Sequence, residues 1–529
     1  MLTDKSLVSS ISEGFNHWQS EIEGIEYELS AQMGFSPEQG TYLTPLRRKI
    51  ASAYVNDDRT INYSAYGAFV YGSLFYGYGQ WCLNKARELN IKKIFCFTRE
   101  SHLLVPLLKT LVQNSTEVEV MPLAVSRHFT RLISIERVSV SSLLKLFSHR
   151  AQFTGADFFD VLGINYEPNP YCDADTLVHP KQLKILLKWV ISQTHLFVAI
   201  STLIAQQQTS FTEYLQSIGF FDEARVAICD LGWSGTTHRA LRKFLKLRRH
   251  RIHITGLYLA TTYKAVKLLS SNDSVCSYLI QYGHPESLAQ ALFRSPEILE
   301  NITMPAHGSL KGMKGTTPVF SSSLLTTMQQ QQAQDMQTGI LAFVEQANRY
   351  YRHSLWTHSN EQQCNQLILL RSIISPTLFE IELFSHWHAE FNLGLKHIRS
   401  IIPDKLWLQG RFTNQPLFLL CNSYAKSKVY WVGAAMTQIS GANLRDLFRR
   451  LQLERKLDLF KYIYIDANSE LVACNTLLSK KYAQIEVIKP FINSWSSTPL
   501  SEMETHRAAL YARLIFKKIG RWYRQIRYG

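Results

Sequence analysis

The sequence predicts an α/β protein with a Rossmann-like, largely parallel sheet, extensive helical insertions and a smaller C-terminal α/β unit. Three observations carry this. Short apolar runs at 93–98, 118–124, 225–230 and 253–259 alternate with segments of helical spacing, the alternation that builds a parallel sheet. The third run ends in a carboxylate, Asp230, and leads through the small-residue turn Gly232-Trp-Ser-Gly-Thr-Thr237 into a helical pattern from His238 to Leu247. Between the second and third runs, about 138–220 is expected as a helical insertion, with apolar residues at helical spacing in Ser141-Ser-Leu-Leu-Lys-Leu-Phe147.

Taken in chain order, residues 1–60 read as an amphipathic helical segment with a turn near 34–40. Residues 60–84 carry no charged residue and are long enough to span a bilayer. They are rich in Tyr, Asn and Gln, so the segment is expected as a buried helix packed closely through Gly67, Gly72 and Gly77. The α/β core is expected over 61–310. Residues 308–338 read as a loop, with the glutamine tract after Met328 as a solvated helix start or a flexible surface segment, and 339–398 as helix, making 311–400 an extension of loop and helices. Further strands are expected at 415–422, 428–433 and 462–467 in a C-terminal α/β unit over 401–500. The tail, 501–529, holds seven Lys or Arg between Arg507 and Arg527 with no acidic residue. Leu510, Leu514, Ile519, Trp522 and Ile526 recur there at roughly helical spacing, a pattern suited to an anionic membrane surface.

The chain has 529 residues and a net charge of +15, which points to anionic partners. The basic residues form no nucleic-acid reading motif, so nucleic acid is not an expected partner. Eight cysteines show no CxxC spacing, arguing against a zinc ribbon or thioredoxin-like site. Cys96 and Cys229 lie in apolar runs and are expected as buried thiols of a reducing, cytoplasmic chain. The first residues lack the pattern of a signal peptide. No P-loop, GxGxxG after a strand, or GxSxG is present, and Asp230-Leu-Gly is not the Asp-x-Asp of a haloacid-dehalogenase phosphatase.

The chemistry is expected where three strand ends converge. A strand-to-helix junction offers backbone N–H groups and a positive helix end, which suit phosphate. Gly232 and Gly235 let the backbone approach a ligand, and Ser234, Thr236 and Thr237 add hydroxyl donors. Arg99 could clamp a phosphate, while Glu100 could hold a cation or orient a hydroxyl. The second run leads into Ser126-Arg127-His128, which adds a hydroxyl, a cation and an imidazole. Glu297 and Glu300 share one helix face ahead of His307. Asp173-Ala-Asp175 and His386-Trp-His388 are weaker patterns.

The set Phe97-Thr-Arg-Glu-Ser101, Val125-Ser-Arg-His128, Cys229-Asp-Leu-Gly-Trp-Ser-Gly-Thr236, Ser295-Pro-Glu-Ile-Leu-Glu300 and Ala306-His-Gly-Ser309 resembles the glycan phosphoribosyltransferase domains of bacterial surface-polysaccharide clusters. Such domains are often fused to a haloacid-dehalogenase-type phosphatase. The resemblance covers about residues 60–400. The usual Arg-Asp-Gly of the family is Arg99-Glu100-Ser101 here, which keeps the charge pattern and loses the glycine. The resemblance implies transfer of a 5-phosphoribosyl group from phosphoribosyl pyrophosphate to a lipid-linked glycan of O-antigen or capsule, with a separate phosphatase removing the 5-phosphate. It implies donor contacts from Arg99, Ser126, Arg127, His128, Gly232, Trp233, the Ser234–Thr237 loop and His307. Asp230 would contact the ribose or a magnesium ion, and either Glu100 or Glu300 would be the base. Such a chain is expected to sit peripherally on the inner face of the cytoplasmic membrane, held by its basic tail. The alternatives are a sugar-nucleotide-dependent glycosyltransferase using Asp173 or Asp175, and a non-catalytic scaffold that binds phosphorylated ligands.

Overall fold

The computed structural model describes residues 5–32, 44–54, 62–112, 118–147, 153–269, 273–351, 358–391, 397–404, 429–439, 463–465 and 471–473. The chain divides into two compact units, Met1–Ile402 and Pro403–Gly529. The three segments expected over 1–400 therefore belong to one unit.

The centre of the first unit is a five-stranded sheet in the order β2-β1-β3-β4-β5, with every neighbouring pair parallel. The strands are β1 Lys93–Phe97, β2 Glu119–Leu123, β3 Arg225–Trp233, β4 His253–Thr261 and β5 Asp273–Ile280. The fold is α/β, as expected, with a doubly wound strand order. From β1 the chain runs outward to β2, and β3 then returns to the other side of β1. That reversal opens a crevice outside the carboxyl ends of β1 and β3, where open α/β sheets bind ligands.

One hydrophobic core lies against this sheet. Phe95 and Phe97 of β1, Ile228 of β3 and Ile254 and Tyr258 of β4 pack with Phe129, Phe211, Leu241 and Phe244 from the covering helices. The insertion between β2 and β3 is helical, as expected, and carries its own core of Phe158, Phe159, Leu162, Leu186, Leu187 and Ile200.

The uncharged segment is the helix Tyr63–Tyr66, a π-turn at Gly67–Tyr71 and the helix Gly72–Glu88. It is buried, and its glycines make the contacts expected of them. A side chain at Gly67 would overlap the Met336 backbone, one at Gly72 the Phe343 ring, and one at Gly77 the Tyr278 hydroxyl. Among the described residues no single helix is long and apolar enough to cross a membrane.

Three expectations are corrected. Residues 308–338 are not a loop. They form the antiparallel hairpin of β6 His307–Lys314 and β7 Thr317–Ser322, then most of the first half of the helix Thr327–Tyr351. Register shifts at Leu310 and Gly312 break the two-residue alternation that would have marked β6 as a strand. The glutamine tract starts that helix, as one of its two expected readings has it, but is only partly solvated. Gln329 is buried on the carbonyl and N–H of His388, and Gln332 accepts from Trp387 Nε1 at 2.9 Å. Residues 388–391 and 397–400 are not helix but the short antiparallel pair β8 His388–Phe391 and β9 His397–Ser400.

In the second unit the helix Val432–Ile439 replaces the end of the strand expected at 428–433. Ile463–Ile465 pairs antiparallel with Leu471–Ala473 inside the strand expected at 462–467. The turn at 34–40, the strand at 415–422 and the tail 501–529 lie outside the described residues.

Candidate functional site

A cavity of about 210 Å³ lies at the carboxyl edge of the sheet. Arg99, Glu100, Ser126, Arg127, Asp230, Gly232, Trp233, the Ser234–Thr237 loop, Glu300 and His307 all line it. The sequence-predicted strand ends therefore do converge.

The local folding explains how. Thr98 joins the ends of β1 and β2, donating to the Leu123 carbonyl at 2.7 Å and accepting from the Val125 N–H at 3.0 Å. The helix Thr98–Val112 starts there, with Glu100 in its first turn and almost fully buried. Strand β3 does not end at Asp230 as expected but continues to Trp233, so Asp230 is a strand residue paired with Tyr258. Gly232 has φ of +105°, and a side chain there would run into Tyr258. Trp233 has φ of +68°, rare for a residue with a side chain. Its indole Nε1 donates to Glu300 Oε1 at 2.8 Å. The helix Thr236–Leu247 follows, capped by the left-handed Gly235 with no side-chain cap, so its first N–H groups lie at the cavity wall without side-chain competition.

The charges are arranged asymmetrically. Arg99 Nε donates to Glu100 Oε1 at 2.8 Å, and its two terminal nitrogens reach Glu300 at 3.1 and 3.3 Å. Burial works against the Arg99 charge, but Glu100 and Glu300 outweigh it and hold the pKa above the ordinary arginine value. Burial also works against Glu300, yet Arg99, Arg127 and the Trp233 indole hold it below the ordinary carboxylate value. Asp230 goes the other way. Burial first, then the charge of the hydrogen-bonded Glu100, push it well above the ordinary value, and Arg99 only partly offsets this. Asp230 thus favours its protonated form beside Glu100 unless a cation meets it. Arg127 is pulled down by burial, and its guanidinium has no hydrogen-bond or ion-pair partner among the described residues. It is a desolvated cation beside open space.

Two of the expected contacts stand apart from the rest. Ser126 lines the cavity, but its hydroxyl is already used. It accepts from the Phe129 N–H at 3.1 Å as the cap of Arg127–Ile133 and donates to the Leu310 carbonyl at 2.8 Å. His128 lines a different cavity, between the helical insertion and the β6–β7 hairpin. Among the weaker patterns, Asp173 and Asp175 are exposed on the insertion, away from the cavity. His386 and His388 form local hydrogen bonds, to Gln332 and to the His386 carbonyl.

The structure also adds residues that sequence reasoning missed. His238, fully buried at the cavity wall, meets the Tyr258 hydroxyl through Nδ1 at 3.0 Å, while its Nε2 lies 3.5 Å from Asp273. Burial lowers its pKa, so the ring is neutral near pH 7. The nearby carboxylate favours a proton on Nε2, leaving Nδ1 to accept from Tyr258. His102 Nε2 meets His307 Nε2 at 3.2 Å. The Gly308 carbonyl, 2.9 Å from His307 Nδ1, sets the tautomer in which His307 accepts from His102. His102 directly follows the Arg-Glu-Ser motif in the next turn of helix, a signal that proximity could have supplied.

No group of three His, Cys, Asp or Glu among the described residues is arranged to hold a metal by itself. Asp230 and Glu100 could supply two carboxylates to a magnesium ion whose other ligands come from a substrate. Magnesium typically takes one or two carboxylates together with phosphate oxygens. No family model matches this chain, and neither does any curated protein.

Proposed function

We propose that this chain is a glycan phosphoribosyltransferase. Its donor would be phosphoribosyl pyrophosphate and its acceptor a hydroxyl of a lipid-linked glycan of surface polysaccharide. The observation that carries the reading is one cavity lined by a half-buried cation without a hydrogen-bond or ion-pair partner among the described residues, Arg127, a helix end at Gly235 without a side-chain cap, and two neighbouring carboxyls, Asp230 and Glu100. A donor with phosphate at both ends of a sugar needs such a combination.

Arg127 and the N–H groups of 235–237 would bind donor phosphate, with Arg99 held at the cavity by Glu300 and Glu100. Asp230 and Glu100 would hold the magnesium ion, which supplies charge neutralisation of the leaving diphosphate. As the bond from the anomeric carbon to pyrophosphate breaks, its electron pair leaves with pyrophosphate. The acceptor oxygen forms the new bond to that carbon, and its proton passes to the Glu100 carboxylate oxygen that does not hold the metal. Negative charge at Asp230 favours the positive character that develops on the ribose. Glu300 is a poor base, because three N–H donors hold it ionised. Its role is to position Arg99 and Trp233.

The chain contains no phosphatase motif, so the product would keep its 5-phosphate and a separate phosphatase would remove it. The test is mass spectrometry of glycan incubated with the pure chain, phosphoribosyl pyrophosphate and magnesium. A product heavier by one phosphoribosyl group is expected, and a product without phosphate contradicts the reading. The sugar-nucleotide alternative loses support because the Asp173 and Asp175 carboxylates lie outside the cavity.

A further inference from the structure

The helical insertion presents an outer surface that the cavity does not explain. Its helices Pro180–Ser192 and Thr194–Ser217 bury Leu183, Leu186, Leu187, Val190, Leu196, Ile200 and Ile204 inward. Outward, Ile185 is 45% exposed, Phe197 37% and Val198 53%, with Leu177 at 55% just before the first helix. Lys181, Lys184 and Lys188 stand exposed on the same stripe of the first helix as Ile185, at spacings of three and four residues. From 180 to 212 there is no acidic residue.

We propose that this surface docks the protein on an anionic lipid membrane. Solvated helix faces ordinarily mix both signs of charge, and a protein interface ordinarily excludes lysine. From 180 to 212 lysines without a carboxylate stand among exposed Ile, Phe and Val, with Glu167 held by His195 and Asp173 and Asp175 preceding Leu177 at the margin. Such a surface suits the headgroup layer, where apolar side chains enter the acyl boundary and ammonium groups meet lipid phosphates. The two helices together are apolar and long enough to cross a membrane, but they meet at a bend of 92°. A bent pair whose inner faces are packed into a core fits a surface-lying element and not a span. The second helix also supplies Leu203 and Gln207 to the cavity that adjoins Arg127, so docking would bring lipid-borne molecules near the site. The docking itself does not rest on the chemistry proposed for that site.

The test uses the full chain with vesicles of phosphatidylcholine, with or without phosphatidylglycerol. Because the basic tail is a second candidate for membrane contact, the readout must be local. Hydroxyl-radical footprinting of Phe197 reports its exposure directly. Oxidation of Phe197 is expected to fall several-fold with anionic vesicles only. Each lysine near an anionic surface contributes about a fivefold gain in partitioning. The combined variant Lys181→Gln/Lys184→Gln/Lys188→Gln should therefore bind on the order of a hundredfold more weakly through this surface, and Phe197 should stay oxidisable. Unchanged Phe197 oxidation in the wild type overturns the proposal. So does a triple variant that shields Phe197 as well as the wild type.

Discussion

Two clusters of arginines and carboxylates in the Met1–Ile402 unit can be set side by side, and of these two one lines a cavity described above. Between the N-terminal helices and the Leu378–Phe384 helix, Arg47 grips Glu26 at 2.7 and 3.0 Å, and Arg371 pairs with Glu380 and lies 3.7 Å from Glu26. Tyr66 donates to Glu380 at 2.6 Å. These five side chains are buried, two cations face two carboxylates, and none lines either cavity described above. At the sheet edge, Arg99 and Arg127 face Glu100, Asp230 and Glu300. There one cation has no partner among the described residues, one carboxyl is pushed up, and the Arg99 side chain is 40% exposed. The same residue types hold a layer together where charges balance and are sealed. Where charges are unbalanced beside open space, they are poised for a ligand.

Breaking one partner in each place should separate the two roles. The largest effect is expected from Arg371→Ala, which strands Glu380 without its cation. Denaturant unfolding should show a loss of about 3–5 kcal/mol. Next comes Arg127→Ala. Donor affinity should fall by about 1.5–3 kcal/mol, the worth of hydrogen bonds to charged groups, as read by calorimetry. Unfolding stability should change by less than about 1 kcal/mol. A stability loss as large as that of Arg371→Ala would erase the distinction. Glu300→Gln keeps the shape but weakens the hold on Arg99 and Trp233, and donor affinity should drop by about 1 kcal/mol.

The smallest effect sharpens the comparison through pH. Burial and Glu100 raise the Asp230 pKa in the folded chain. Ionising Asp230 therefore costs stability as pH rises through that raised value, whereas below the ordinary carboxylate range both states are protonated. Asp230→Asn should raise the Tm of the ligand-free chain by roughly 1–3 °C near neutral pH. The gain should shrink toward zero below about pH 4. A lowered Tm at neutral pH would show that the carboxylate stabilises the fold.

The sheet was legible where strands are continuously apolar, as in Ile94-Phe-Cys-Phe97 and Val226-Ala-Ile-Cys229. Strand β5 was not, because Ser274, Ser277 and Tyr278 interrupt its apolar character. Their polarity is met across the strands: Ser274 pairs with Thr255 at 2.9 Å and Ser277 with Thr261 at 2.7 Å. Such pairing depends on the neighbouring strand and leaves no local periodicity. The site's main residues were legible because strand-end motifs point to one edge of a parallel sheet. The roles of Ser126 and His128 were not, since both depend on a hairpin whose register shifts hid it. The Tyr258–His238–Asp273 chain was equally hidden, because its members come from three elements whose proximity only the fold creates.

The measurement that bears most directly on the proposed function is calorimetric titration of the full chain with phosphoribosyl pyrophosphate and magnesium, beside a panel of sugar nucleotides, for wild type, Arg127→Ala and Asp230→Asn. Micromolar binding of phosphoribosyl pyrophosphate alone, about −8 kcal/mol, weakened in both variants, is the expected result. Binding of a sugar nucleotide in its place, or phosphoribosyl pyrophosphate binding that neither variant alters, would contradict the assignment.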